Sequence, residues 1–397
     1  MSEDRDGRRD DQRDGRRTGR RDGSGLRDFV EGYFRAAPVL VPVYAVLTAC
    51  VVGSVVILLA GRNPLVAYEA LFAGAFGSPR AVATTLARST PYIVASLAVA
   101  FGFKAGLFNI GAEGQLLVGA LVGAWVGAAA TVAGLPAIVA IPLVLLAGVV
   151  GGLLWGGIPG VLKARTGAHE VIVTIMLNNV ALRMAEWLIA STQPLLLRDP
   201  QASQAVTRPI AGSARLPALA GTPLDLGFVV ALALCALVWF VLQRTTFGFE
   251  IRTVGVNPHA ARYAGMSVER TVVGVMAASG ALAGIAGSAA LAGSGSGAIT
   301  AGSFANIGFD SIAIALLARA NPYAVVPAAV LWAGLLVGAP NMQLQAGVSG
   351  DLVRIVQALI IVFVAADAIV RYLFRIRRPR AAEDVTEEAI FAKGWGV

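Results

Sequence analysis

The sequence predicts an all-α polytopic membrane protein, and three observations carry that prediction. Of 397 residues, 56% are hydrophobic and only 14% are charged, whereas a soluble domain carries about 25% charged residues. Mean hydropathy is +0.71. The apolar residues gather into about ten runs, most of them near the roughly 20 residues that a helix needs to cross a bilayer.

Residues 1–37 precede the first run and mix ten arginines with nine acids and glycine. Such a composition predicts a disordered tail. The first apolar run arrives too late and continues too long for a cleavable signal peptide, so it is expected to stay as an anchor. Runs then follow at 38–60, 83–103, 107–133, 135–162, 169–190, 226–243, 267–291, 305–319, 323–339 and 353–374. They define a membrane domain at 38–374 followed by a second tail at 375–397.

With the amino end on the cytoplasmic side, ten crossings place Lys104, Lys163, Arg165, the loop from Arg244 to Arg270, Arg319 and Arg371 to Arg380 on that same side. This is the positive-inside pattern, with both termini cytoplasmic. Arg62, Arg80, Arg198, Arg208 and Arg215 fall on the other face and weaken the bias. Residues 192–225 contain five prolines and read as an irregular external segment between two halves.

Glycines four apart at Gly119, Gly123 and Gly127, and again at Gly148, Gly152, Gly156 and Gly160, strip one helix face of side chains. Such faces serve close packing or sliding between helices. The run at 305–319 is short, opens on Asn306 and Asp310 and closes at Asn321-Pro322, which predicts a half-helix of the kind that lines a cavity.

The net charge of +8 sits mostly in tails and short loops, so lipid rather than nucleic acid is the expected surrounding. Cys50 and Cys235 lie within apolar runs and are read as packing residues. His169 and His259 form no H-E-x-x-H pattern, there is no G-x-S-x-G elbow, and the dipeptide Gly-Lys is absent. Neither metal, cofactor nor a nucleotide-phosphate loop is therefore expected, and catalysis has no nucleophile to start from.

Polar residues inside the apolar runs are the candidates for function, because each costs free energy in hydrocarbon unless it is paired or hydrated. In Phe108 to Gln115, Asn109 and Glu113 share a helical face at i, i+4 while Gln115 is expected to point elsewhere. Glu113 has two readings: a tie to Lys104 or to backbone amides, or a wall of a solute route. Asn306 and Asp310, also four apart, divide in the same way. On the fifth run Glu170, Thr174 and Asn178 form one stripe, and Asn179, Arg183 and Glu186 a second. The Arg183 and Glu186 pair reads as a structural ion pair or as a pair at the membrane interface; Thr174, Asn178 and Asn179 suit a pore lining or interhelical hydrogen bonds. In the basic loop at 244–266, Pro258 can open a short helix and Gly265 close it, a shape suited to docking a partner.

Phe-Asn-Ile-Gly-Ala-Glu-Gly-Gln at 108–115, Thr-Ile-Met-Leu-Asn-Asn at 174–179 and Ala-Arg-Tyr-Ala-Gly-Met-Ser at 261–267 together resemble the permease subunits of ABC importers. The likeness is to the branch for nucleosides and simple sugars, related to ribose and branched-chain amino acid permeases, and it covers roughly residues 38–374. It implies two inverted-repeat halves in the bacterial cytoplasmic membrane, a second homologous permease, a cytoplasmic ABC ATPase and an external substrate-binding lipoprotein. It also implies a solute route among Asn109, Glu113, Gln115, Thr174, Asn178, Asn179, Asn306 and Asp310. Coupling to the ATPase would fall on Gly255, Asn257, Pro258, Ala261, Tyr263 and Gly265. The competing class is a proton-coupled secondary transporter in which Glu113 or Asp310 titrates; an intramembrane enzyme lacks the residues to build it.

Overall fold

A computed structural model describes residues 43–219 and 221–365; the expected tails at 1–37 and 375–397, and the last part of the run at 353–374, lie outside them. The described regular structure is helical, apart from three isolated bridges in the external segment, Thr192 with Leu195, Arg198 with Thr207 and Ala218 with Asp225.

Helix α1 (Val43–Leu59) is followed at a bend of 119° by α2 (Pro64–Phe76). The sequence reading missed α2, which fills the gap between the first two expected runs. Local chemistry starts it: Pro64 occupies the first turn, where its missing N–H costs nothing, and Asn63 Oδ1 accepts from Leu65 N at 2.9 Å. Tyr68 Oη then donates to Cys50 O at 2.7 Å and folds α2 back on α1.

Helix α3 (Pro79–Lys104), capped by Ser78, ends at a turn in which Gly106 takes φ 69°. Here the structure corrects the expected run at 107–133. Residues 107–111 are not helical, α4 is Ala112–Gly127, and α5 (Ala130–Ala133) is a separate single turn. Helix α6 (Ala137–Thr166) stops at Gly167, whose φ of 69° closes it in the left-handed region. Helix α7 (Glu170–Ala190) leads into the external segment, and Asp225 caps α8 (Leu226–Arg244).

The basic loop contains two helices rather than one, α9 (Thr246–Val256) and α10 (Pro258–Tyr263). Then come α11 (Val268–Gly293), the short α12 (Ile307–Leu317), α13 (Pro322–Ala346) and α14 (Gly350–Ala365). Among the described residues, six helices are long and apolar enough to cross a membrane, namely α3, α6, α7, α8, α11 and α13, or seven if the bent α1 and α2 make one crossing. At 16 and 11 residues, α4 and α12 are shorter than a bilayer is thick.

Glycine decides how the centre packs. A methyl group on Gly152 would collide with Gly280 O, one on Gly284 with Gly148 O, and one on Gly119 with Gly284 Cα. The backbones of α4, α6 and α11 thus touch directly, which maximises dispersion contact where lipid offers no hydrophobic drive. Around this trio α3, α12 and α13 complete one core through Ile93, Leu97, Leu116, Met276, Ile314 and Trp332. A smaller cluster of Ile57, Ala67, Met342, Val353 and Ile360 joins α1, α2, α13 and α14.

Candidate functional site

Asn109, Glu113, Gln115, Thr174, Asn178, Asn306 and Asp310 gather where the starts of α4 and α12 meet, whereas Asn179 stands on the outer face of α7. Because Asn109 precedes α4 instead of lying on it, helical spacing does not govern its direction, and the expected separation from Gln115 is overturned. Asn109 Nδ2 donates to Gln115 Oε1 at 2.8 Å and Gln115 Nε2 donates to Asn109 Oδ1 at 3.1 Å. Asn109 Nδ2 also donates to Ser279 Oγ at 2.8 Å, and Ser279 Oγ donates to Ala98 O at 2.6 Å. All three side chains are buried. This closed knot ties α3, α4 and α11 together and satisfies groups that would otherwise be orphaned in an apolar interior. Ser279 carries no mark in the sequence; a serine in a small-residue helix is invisible until its partners are placed.

Glu113 points away from the knot. Its carboxylate accepts from Asn306 N at 2.7 Å and from Gly308 N at 2.6 Å. Asn306, the residue before α12, has φ 71° and makes no side-chain cap of its own, so the acid of one short helix caps the other. A tie from Glu113 to backbone amides is formed, and the amides belong to the segment that opens α12. Gly308 permits it: a Cβ there would meet Glu113 Cα at 2.5 Å. Asp310 follows in the first turn of α12. Asn109-Ile110-Gly111-Ala112-Glu113 and Asn306-Ile307-Gly308-Phe309-Asp310 are two copies of one pattern, a signal that could have paired the two segments before any coordinates.

Helix α7 presents two distinct faces. Glu170, Thr174 and Asn178 lie buried on the inner stripe. Lys163 Nζ donates to Glu170 Oε2 at 2.5 Å across the turn from α6. Thr174 Oγ1 donates to Val171 O at 3.1 Å. Asn178 Oδ1 accepts from Gly114 N at 2.9 Å and its Nδ2 donates to Ile110 O at 3.0 Å, fastening α7 to the start of α4. Asn179 is exposed, its Nδ2 returned to Ile175 O at 3.1 Å. One turn on, Arg183 Nη1 donates to Glu186 Oε2 at 2.6 Å on the same open side.

The α9–α10 elbow carries the remaining residues. Gly255 seats α9 against the end of α3, since a Cβ would strike Lys104 O. Asn257 Oδ1 accepts from His259 N at 3.0 Å and Ala260 N at 3.1 Å, Pro258 opens α10, and Gly265 at φ 82° follows its end. Ala261 is buried whereas Tyr263 is 95% exposed, so the short helix offers a free outer edge.

A family profile described as the permease component of branched-chain amino acid transport systems matches residues 81–365. The chain belongs to this permease family. The permease is 43% identical over 343 residues to the guanosine ABC transporter permease protein NupP of Bacillus subtilis (strain 168), covering 85% of this chain and 96% of that one. It is 36% identical over 365 residues to the nucleoside ABC transporter permease protein NupB of Lactococcus lactis subsp. cremoris (strain MG1363), covering 91% and 98%. A glucose ABC transporter permease protein of Haloferax volcanii is 37% identical over 371 residues, covering 88% and 93%. No solved structure matches the permease significantly. It is a multi-pass membrane subunit of an ABC importer, and these relatives do not favour the proton-coupled alternative.

Proposed function

We propose that this permease carries nucleosides into a bacterial cell across the cytoplasmic membrane. The observation that carries the reading is near end-to-end similarity to two permeases named for guanosine and nucleosides. Simple sugars are the second reading, favoured by the glucose permease at 37% identity. The chain lacks the lysine-bearing loop that cradles nucleotide phosphates, so the energy enters from a separate cytoplasmic ATPase. A second permease completes the membrane unit and an external lipoprotein delivers the solute.

In this reading the permease crosses the membrane ten times, with α4, α12 and α14 as crossings that need their neighbours, both termini in the cytoplasm and two inverted halves. The twin Asn-Ile-Gly patterns at 109–111 and 306–308 support the repeat. ATP-driven closure of the ATPases moves the α9–α10 elbow through Asn257, Pro258, Tyr263 and Gly265, with Gly255 and Ala261 holding the elbow to the body. Among the candidate route residues, Asn179, Asn306 and Asp310 meet the solute. Asn109, Glu113, Gln115, Thr174 and Asn178 frame the route from buried or half-buried positions, where each is hydrogen-bonded within the protein. A weakly polar lining is sufficient where an external protein supplies specificity.

The test is to purify the tagged chain gently from its native membrane, identify what accompanies it, and measure uptake of labelled guanosine and labelled glucose by the reconstituted complex. The expected result is a P-loop ATPase and a second permease in the preparation, with ATP-dependent guanosine uptake. Uptake by this chain alone, driven by a proton gradient, would overturn the importer reading; ATP-dependent uptake of glucose alone would replace the solute.

A further inference from the structure

The outer face of α7 carries polar groups well inside the length of the helix. Ile172, Met176, Asn179, Arg183 and Trp187 follow one another at steps of four and three and are all exposed, forming one stripe opposite the buried Glu170, Thr174 and Asn178. Along the middles of α6, at Leu146, Val150, Leu154 and Ile158, and of α8, at Val229, Leu232, Leu237 and Phe240, the large exposed residues are apolar, as contact with lipid demands, and exposed Arg165, Gln243 and Arg244 stand only in the last turns. On α7 an amide stands about 14 Å from one end and about 16 Å from the other, at 1.5 Å per residue. Beside it are a guanidinium 72% exposed and a carboxylate 43% exposed.

Each alternative environment meets a physical obstacle. In hydrocarbon the pair and the amide would cost several kcal/mol; a long arginine can snorkel toward an interface, but an asparagine at mid-helix cannot reach one. In a dry contact with another helix the ion pair would lose its hydration, and no further charged partner reaches it among the described residues. An aqueous route accommodates all three groups. The pair also carries no net charge, so it neither attracts nor repels a solute by charge, while its guanidinium donates and its carboxylate accepts. That combination suits a neutral solute rich in both donors and acceptors.

We propose that the Ile172 to Trp187 stripe of α7 lines the solute route, and that Asn179 with the Arg183–Glu186 pair contacts the transported nucleoside. The contact rests on the nucleoside reading above. The carboxylate accepts from ribose hydroxyls or base N–H groups, and the guanidinium donates to a base carbonyl or ring nitrogen. Arg183 and Glu186 thereby become specificity-determining residues, a role that their spacing in the sequence does not disclose.

The experiment uses the whole transporter complex in proteoliposomes, with Cys50 and Cys235 first replaced by alanine. Single substitutions Met176→Cys and Asn179→Cys on the stripe are compared with Leu154→Cys on α6 and Leu237→Cys on α8. The readout is the rate of reaction with a charged, membrane-impermeant thiol reagent, with and without guanosine or glucose. The stripe positions are expected to react at least tenfold faster than the controls and to be slowed severalfold by guanosine. Reaction as slow as at the controls would overturn the proposal, as would fast reaction that neither solute slows. Slowing by glucose alone would keep the stripe as the route while overturning the nucleoside reading. In parallel, Glu186→Gln is expected to raise KM for guanosine uptake about tenfold, the equivalent of one charge-assisted hydrogen bond. A reduced amount of assembled complex at unchanged KM would instead mark the pair as structural and overturn the contact.

Discussion

A single carboxylate holds two helices in register at the centre of this permease. Glu113 Oε1 and Oε2 each take one backbone N–H from the segment that opens α12, groups that a helix start leaves without an internal partner. Removing the side chain strands both donors, and each stranded donor costs about 1–3 kcal/mol. Glu113→Ala is therefore expected to lower the thermal inactivation midpoint of the detergent-solubilised complex clearly more than Glu113→Gln, which retains one acceptor oxygen. Equal midpoints for the two variants would show that the cap contributes nothing. The sequence picked out Glu113 as the residue to watch, because an acid in an apolar run demands a partner. It could not name that partner, since Asn306 lies nearly two hundred positions away in the chain and only folding brings the two together. Asn109 shows the opposite failure: helical periodicity sent it away from Gln115, yet the chain is not helical at Asn109 and the two amides bond to each other.

At the scale of elements, the glycine pattern was legible and its geometry was not. The fourfold spacing on α4 and α6 announces smooth faces, but that α11 fills both, with Gly280 and Gly284 against Gly148 and Gly152, follows only from the packed structure. Gly284→Val places branched methyls where the backbone of α6 already stands, and overpacking of this kind costs about 1–3 kcal/mol. The expected outcome is a poorly assembled or protease-sensitive permease, while Gly157→Val, at a site with open space, leaves assembly intact. Similar protease resistance for both variants would show that α6 and α11 tolerate separation. Helix α2 escaped the sequence reading because its signals are local, an Asn-Pro start and a tyrosine that folds back on α1, whereas attention to membrane length favours long uninterrupted runs. The short α4 and α12 are the converse case. Apolar runs overestimated α4, since the non-helical residues 107–111 and the break before α5 divide what hydropathy joins.

For the whole molecule, the proposed coupling to the ATPase enters at the α9–α10 elbow. Gly265→Arg adds a bulky cation at a position with φ 82° next to the exposed Tyr263, and both backbone strain and bulk oppose docking of a partner. The ATPase is expected to be lost from the purified complex, or to remain bound while ATP hydrolysis no longer drives uptake. Intact docking together with intact uptake in a stably inserted variant would remove the elbow from the coupling path. Sequence alone determined that the chain is a helical membrane protein without its own nucleotide loop, and its motifs placed it beside ABC importer permeases. Those properties reside in composition, run length and short contiguous patterns, which do not depend on distant neighbours. Tertiary structure alone decided that Glu113 caps α12, that Asn109 and Gln115 close a knot with Ser279, and that α7 turns one polar stripe inward and another outward. Each of these is a matter of direction, and in an interior where every polar group must find a partner, direction is set by which distant backbone arrives beside it.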